Sequence, residues 1–244
     1  MTKRRRTSTS NSRDRKLPPA AKPVNDDQIE TCFEILYRMV DPSAIPPDLD
    51  ECKLIAAHAH HAQHGIVIAD EARDLSLRLC GHADPTRRAA GITLLKELTK
   101  AGDPYSTVVH AFVHWEDGPL KNHQHALELC ERAMASQWPE LGDYPRAMVA
   151  LGRVFRLKGL LLWKGEKIKH DLSAAHYLFK YACDKYRDGH AAWLAAQFHM
   201  SNPPREFAHV AKRHVAAYEW YMTRARQYGY LSSANDVREE ARDE

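Results

Sequence analysis

The sequence lacks a long apolar run. A membrane-spanning helix needs about 20 consecutive, mostly apolar residues. The most apolar stretch, residues 157–163, is far shorter and contains Lys158 and Gly159. We therefore expect no membrane span.

Cysteine is scarce and dispersed. The chain has five cysteines in 244 residues, and none forms a CxxC pair. They are Cys32, Cys52, Cys80, Cys130 and Cys183. An odd number of isolated cysteines, with no recognisable secretory leader, is typical of a reducing compartment in which thiols are small buried apolar groups. We expect an intracellular protein.

The usual short catalytic motifs are also missing. The sequence contains neither GxSxG nor HExxH. Gly159 and Gly165 do not make a phosphate-binding loop, because Glu166 occupies the position where that motif requires lysine. We predict a protein that is not an enzyme and has no cofactor.

Positive charge is concentrated at the start of the chain. Residues 1–22 contain eight lysines and arginines and one acidic residue, so they carry +7. Because the whole chain carries +3, the remaining residues carry −4. With so few apolar residues, segment 1–25 is predicted to be a disordered basic tail, and residues 26–244 to be the folded domain.

The tail contains two possible targeting signals. Lys3, Arg4, Arg5 and Arg6 form a basic cluster of the kind that directs nuclear import. An Arg- and Ser-rich, acid-poor start is also a feature of mitochondrial presequences. The sequence leaves the nucleus, the cytoplasm and the mitochondrion open as locations.

Apolar residues recur at steps of three and four along the folded part, which predicts helices throughout. The predicted helices cover residues 26–40, 48–64, 68–81, 84–102, 104–115, 122–133, 146–160, 171–186, 190–199, a segment around 217–225 and 231–242. Asp84-Pro85 and Asp103-Pro104 are typical of helix starts, with aspartate as the cap and proline in the first turn.

Corresponding small residues mark a repeated second helix. Gly91, Ala126, Ala175 and Ala217 occupy matching places, at intervals of 35, 49 and 42 residues. These intervals are irregular but are centred where helical-hairpin repeats lie. The fold class predicted from this register is all-α, with stacked antiparallel helical hairpins.

Residues 147–192 carry a family resemblance. Ala147, Leu151-Gly152, Phe155 and Gly159 are followed by a polar turn and then by Asp171, Ala175, Leu178-Phe179 and Ala182. This order resembles the Sel1-like repeat, a relative of the tetratricopeptide repeat. The resemblance implies a right-handed α-solenoid that binds other proteins.

A stack of hairpins leaves a concave surface built from the first helices. Those helices are predicted at 104–115, 146–160 and 190–199. Their polar residues are the candidate partner-binding positions: His110, His114, Arg153, Arg156, Gln197 and His199. The predicted function is a protein-protein adaptor or assembly factor.

An RNA-binding helical repeat of an organelle or the nucleus is the alternative. Basic and aromatic residues alternate along Arg153, Phe155, Arg156, Lys158 and Trp163, as in nucleic-acid-binding faces. The negative charge of the folded part weighs against this hypothesis.

Histidine clusters raise the question of a metal. His60 and His64 would share one face if the second helix reached His64, and His110 and His114 have the same spacing, with Glu116 nearby. Two imidazoles one turn apart can bind zinc. Further ligands cannot be identified from sequence, so no metal site is predicted.

Overall fold

The computed structural model describes residues 26–63, 66–138, 144–201 and 208–231. Within these residues the chain forms ten α-helices and one two-residue antiparallel pairing. The helices are α1 (Asp26–Val40), α2 (Leu49–Ala57), α3 (Ile68–Cys80), α4 (Pro85–Lys100), α5 (Pro104–Trp115), α6 (His123–Ala135), α7 (Tyr144–Lys164), α8 (Leu172–Tyr186), α9 (Gly189–Ser201) and α10 (Ala208–Gln227). The strands are β1 (Ala62–Gln63) and β2 (Ile66–Val67). The all-α prediction is confirmed. The predictions of a disordered basic tail and of a helix at 231–242 concern residues that, apart from Leu231, lie outside the described part of the chain.

Helices begin where the sequence predicts caps. The side chains of Asp84, Asp103, Asn122 and Asp171 each accept a hydrogen bond from a main-chain amide in the first turn of α4, α5, α6 and α8. Proline occupies the first turn of α4 and α5. Each cap satisfies a helix-start amide that has no partner within the helix.

The predicted helix over 48–64 ends earlier. It begins with a capping box between Asp48 and Glu51 but stops at Ala57. The main chain then bonds elsewhere: the amide of Ala69 donates to the oxygen of Ala59. His60 thus lies beyond the end of α2, and the prediction that this helix continues through it is wrong.

The helix α8 ends at Tyr186, as predicted, but without a glycine at the cap. Arg187 adopts the left-handed conformation there, with φ +53°. Gly189 instead begins α9, and the side chain of Asp188 accepts a hydrogen bond from the amide of Ala191. Asp188 thus acts as the cap of α9.

Consecutive helices pack as hairpins. The pairs are α3 with α4, α5 with α6, α7 with α8, and α9 with α10. The first helices α3, α5, α7 and α9 also contact one another in series, while α1 and α2 cover α3 and α4. None of the described helices combines the length and apolar character of a membrane span.

Arginine–aspartate pairs, one buried and one partly buried, join successive first helices at two places. Arg73 of α3 reaches Asp103, the cap of α5, with 3.5 Å between Nη2 and Oδ2. Arg156 of α7 reaches Asp188, the cap of α9, with 3.1 Å between Nη1 and Oδ1. Each pair fixes the start of one first helix against the side of the preceding one.

Gly91 lies at a close contact between α4 and α3. A Cβ atom at this position would lie 2.5 Å from Cβ of Leu79 and 3.0 Å from the main-chain oxygen of Ser76. We expect Gly91→Ala to lower the free energy of unfolding by about 1–3 kcal/mol, because stiff atoms must move apart. Chemical denaturation measures this.

Gly81→Ala is the matched control. A Cβ at Gly81 meets only one atom within 4 Å, at 3.9 Å, and its φ of −90° is ordinary. Its stability should therefore stay within about 0.5 kcal/mol of wild type. Equal effects of the two substitutions would contradict the close approach of α3 and α4.

Candidate functional site

The six predicted partner-binding residues do not form one surface. His110 and His114 on α5 are 4% and 9% exposed. They cannot present a polar surface to a partner, so this part of the prediction is wrong. Their side chains are covered because α6 packs along α5, a contact that helical periodicity does not reveal.

His110 and His114 instead meet a third histidine. His125, in the first turn of α6, completes a group whose potential metal-ligand nitrogens lie within 4.8 Å of one another. Burial and the neighbouring histidines lower the pKa of His110 to about 3, and burial lowers that of His114. These rings are therefore neutral near pH 7. Sequence reasoning paired them with Glu116, an exposed residue at the end of α5.

Gln197 and His199 lie apart from this group, on α9. Both are half-buried. Nδ1 of His199 is 3.3 Å from Nδ1 of His214 on α10. The ring centroids of His199 and His176, on α8, are 4.7 Å apart. Burial and the two other histidines lower the pKa of His199 to about 4. His199 therefore belongs to an inter-helix contact.

Arg153 and Arg156 line a cleft of about 270 Å³. It lies between α7, the turn from α8 to α9 and the turn that follows α10. Three arginines and one carboxylate face it: Arg153, Arg156, Arg187 and Asp188. The local charge is therefore +2.

The three arginines differ in their partners. Arg156 is largely buried and paired with Asp188, and burial lowers its pKa. Arg153 and Arg187 are exposed, and neither forms an ion pair within the described residues. Arg156 therefore links α7 to the start of α9, while Arg153 and Arg187 can bind an anion.

Aromatic rings form the apolar wall of the cleft. His190 stacks on Tyr230 with 4.4 Å between ring centroids and 13° between planes. Burial and Arg156 lower the pKa of His190 to about 4, so its ring is neutral near pH 7. Tyr186 and Tyr228 complete the wall.

Such a cleft suits a carboxylate or phosphate beside an apolar group. Guanidinium groups bind these anions through paired, charge-assisted hydrogen bonds. Sequence reasoning identified Arg153 and Arg156 on α7. It missed Arg187 and His190, from the junction of α8 and α9, and Tyr230, which follows α10. These segments are far apart in the sequence. Gly229, directly before Tyr230, was the available sequence signal of a turn.

The family resemblance of residues 147–192 has no independent support. Compared with models of protein families, with curated proteins and with solved structures, the chain has no significant match.

Proposed function

We propose that this chain is a non-enzymatic adaptor, a right-handed helical-repeat protein of Sel1-like type whose cleft binds an acidic segment of a partner protein. The observation that carries the proposal is the pair of exposed guanidinium groups, Arg153 and Arg187, facing an aromatic-walled cleft with no carboxylate of their own in the described part of the chain.

The chemistry of the cleft favours binding over catalysis. Its carboxylate, Asp188, already accepts hydrogen bonds from Arg156 and from the amide of Ala191. Its histidine, His190, has a pKa far below neutrality. Neither group is poised for proton transfer near pH 7.

The cysteines support an intracellular location for such an adaptor. All five are free thiols, and four are buried. Burial raises the pKa of Cys130 to about 12, so its thiol stays protonated and unreactive. Buried, unpaired thiols are typical of a reducing compartment.

Contacts made by the basic and aromatic run on α7 weaken the RNA-binding alternative. Lys158 is paired with Glu131 at 3.0 Å. The ring of Phe155 packs against that of Tyr181, with 4.7 Å between centroids, and Trp163 is buried. These side chains do not supply the exposed stacking platform that single-stranded RNA requires.

The test removes the two exposed arginines together. Arg153→Gln with Arg187→Gly should weaken binding of a fluorescein-labelled peptide of alternating Glu and Tyr at least about tenfold, the loss of one charge-assisted hydrogen bond. Fluorescence anisotropy at fixed salt measures this. A labelled oligouridylate of equal charge is titrated in parallel.

The controls separate the cleft from overall charge and from folding. Lys169→Gln with Lys180→Gln removes two exposed positive charges elsewhere and should bind the peptide like wild type. Glycine suits the left-handed conformation at position 187, so the cleft variant should melt no lower than wild type. Unchanged peptide binding would refute the adaptor proposal. Selective loss of oligouridylate binding would favour the RNA-binding alternative.

A further inference from the structure

Three histidine rings converge where α6 packs on α5. His110 and His114 lie one helical turn apart on α5, so their side chains share one face. Their Nε2 atoms are 3.3 Å apart. His125, from the first turn of α6, points a ring nitrogen at the same place. The hairpin therefore brings together three imidazole nitrogens from two helices.

Neighbours hold the opposite nitrogens of the two α5 rings. Nδ1 of His114 is 2.6 Å from the main-chain oxygen of Leu120, which can only accept, so this nitrogen carries the proton. Nδ1 of His110 is 3.3 Å from Oγ1 of Thr99. Histidines that bind metals usually have such a partner on the nitrogen that does not bind. This arrangement leaves Nε2 of His114 as a free acceptor.

The third ring has the same kind of support and is more open. Nδ1 of His125 is 3.3 Å from a carboxylate oxygen of Glu128. The side chain of His125 is 39% exposed, so its ring can adjust and solvent can reach the group. The group thus offers three protein ligands, two of them buried and one partly exposed. Its solvent-facing side leaves one coordination position open.

The spacing of the two α5 nitrogens suits a zinc ion. With Zn–N bonds of about 2.0–2.1 Å, two nitrogens of a tetrahedral site lie about 3.3–3.4 Å apart. The separation of the His110 and His114 nitrogens is within this range. Imidazole ligands without a carboxylate select zinc and similar transition ions over magnesium and calcium.

We propose that His110, His114 and His125 form a zinc site with a solvent molecule at the fourth position. The site joins α5 to α6 and is separate from the Arg153–Arg187 cleft, so it does not depend on the adaptor function. Lys96 and Arg132 oppose positive charge at His110, which favours a moderate over a very high affinity.

The same side chains can also satisfy one another without a metal. In that state the hydroxyl of Thr99 donates to Nδ1 of His110, and Nε2–H of His110 donates to Nε2 of His114. A purely structural network of this kind would bind no ion. The experiment must therefore measure metal binding directly as well as stability.

Isothermal titration with Zn²⁺, and visible absorption with Co²⁺ as a spectroscopic substitute, provide that measurement on the full chain. Wild type should bind one ion with the absorption of a four-coordinate Co²⁺ site. His125→Gln should lower the affinity at least about 100-fold, because a two-histidine site holds zinc poorly. Its half-exposed position makes this variant safe for folding.

His82→Gln is the matched control, since His82 is exposed and lies on the turn between α3 and α4. It should bind like wild type. His114→Gln should lose binding as His125→Gln does; if it fails to fold, His125→Gln alone decides. Equal binding by wild type and His125→Gln would overturn the proposal, as would loss of the ion in His199→Gln only, which would place it between α8, α9 and α10.

Discussion

Arg73→Ala is expected to lower the free energy of unfolding by about 3–5 kcal/mol. Arg73 is 5% exposed and bonds Asp70 at 3.0 Å and Asp103 at 3.5 Å. Its removal leaves Asp103, a 1% exposed carboxylate, without a positive partner in the described part of the chain. The guanidinium also lies 5.1 Å from the ring centroid of Tyr105, so packing is lost with the charge.

Urea denaturation measures this loss, and Arg78→Ala is the control. Arg78 lies on the same helix and is exposed. Among the described residues, its side chain bonds only a main-chain oxygen of that helix. Its replacement should change stability by no more than about 0.5 kcal/mol. If the two variants unfolded at the same urea concentration, the ion pair between Arg73 and Asp103 would not be a major source of stability.

Ala182→Asp is expected to cost several kcal/mol or to prevent folding. Ala182 is completely buried on α8, beside Phe179 and Cys183 on the face that packs against neighbouring helices. An aspartate there must be desolvated or protonated. Thermal unfolding followed by circular dichroism measures the shift.

Ser173→Asp adds the same side chain to the same helix at an exposed position. A negative charge in the first turn of a helix is mildly stabilising, so this variant should melt at or slightly above the wild-type temperature. Were Ala182→Asp to melt with it, the assigned buried face of α8 would be incorrect.

Sequence reasoning located most helices because their ends are set by local chemistry. Asp103-Pro104 begins α5 and Asn122 precedes α6, each through a side chain acting on amides two or three residues away. The apolar face of α8 was also foreseen in Ala175 and Phe179, both fully buried. On other faces of α8, however, Leu172 and Tyr177 are exposed.

What sequence reasoning missed depends on contacts between distant segments. The end of α2 is decided by a main-chain bond from Ala69 to Ala59, which periodicity cannot anticipate. His125 joins His110 and His114 only through the docking of two helices. Arg187 takes a left-handed conformation normally left to glycine or asparagine, so no local signal placed its side chain in the cleft.

The pairs Arg73–Asp103 and Arg156–Asp188 also affect how the helical hairpins unfold locally. In a linear array, stability is the sum of each unit's own stability and its coupling to the next unit. Arg73 attaches α3 to the start of α5, and Arg156 attaches α7 to the start of α9, so fraying of one helix removes the cap partner of the other. Hydrogen exchange should therefore show α3 with α5, and α7 with α9, opening as cooperative blocks. Partial unfolding would then begin at the boundaries between blocks.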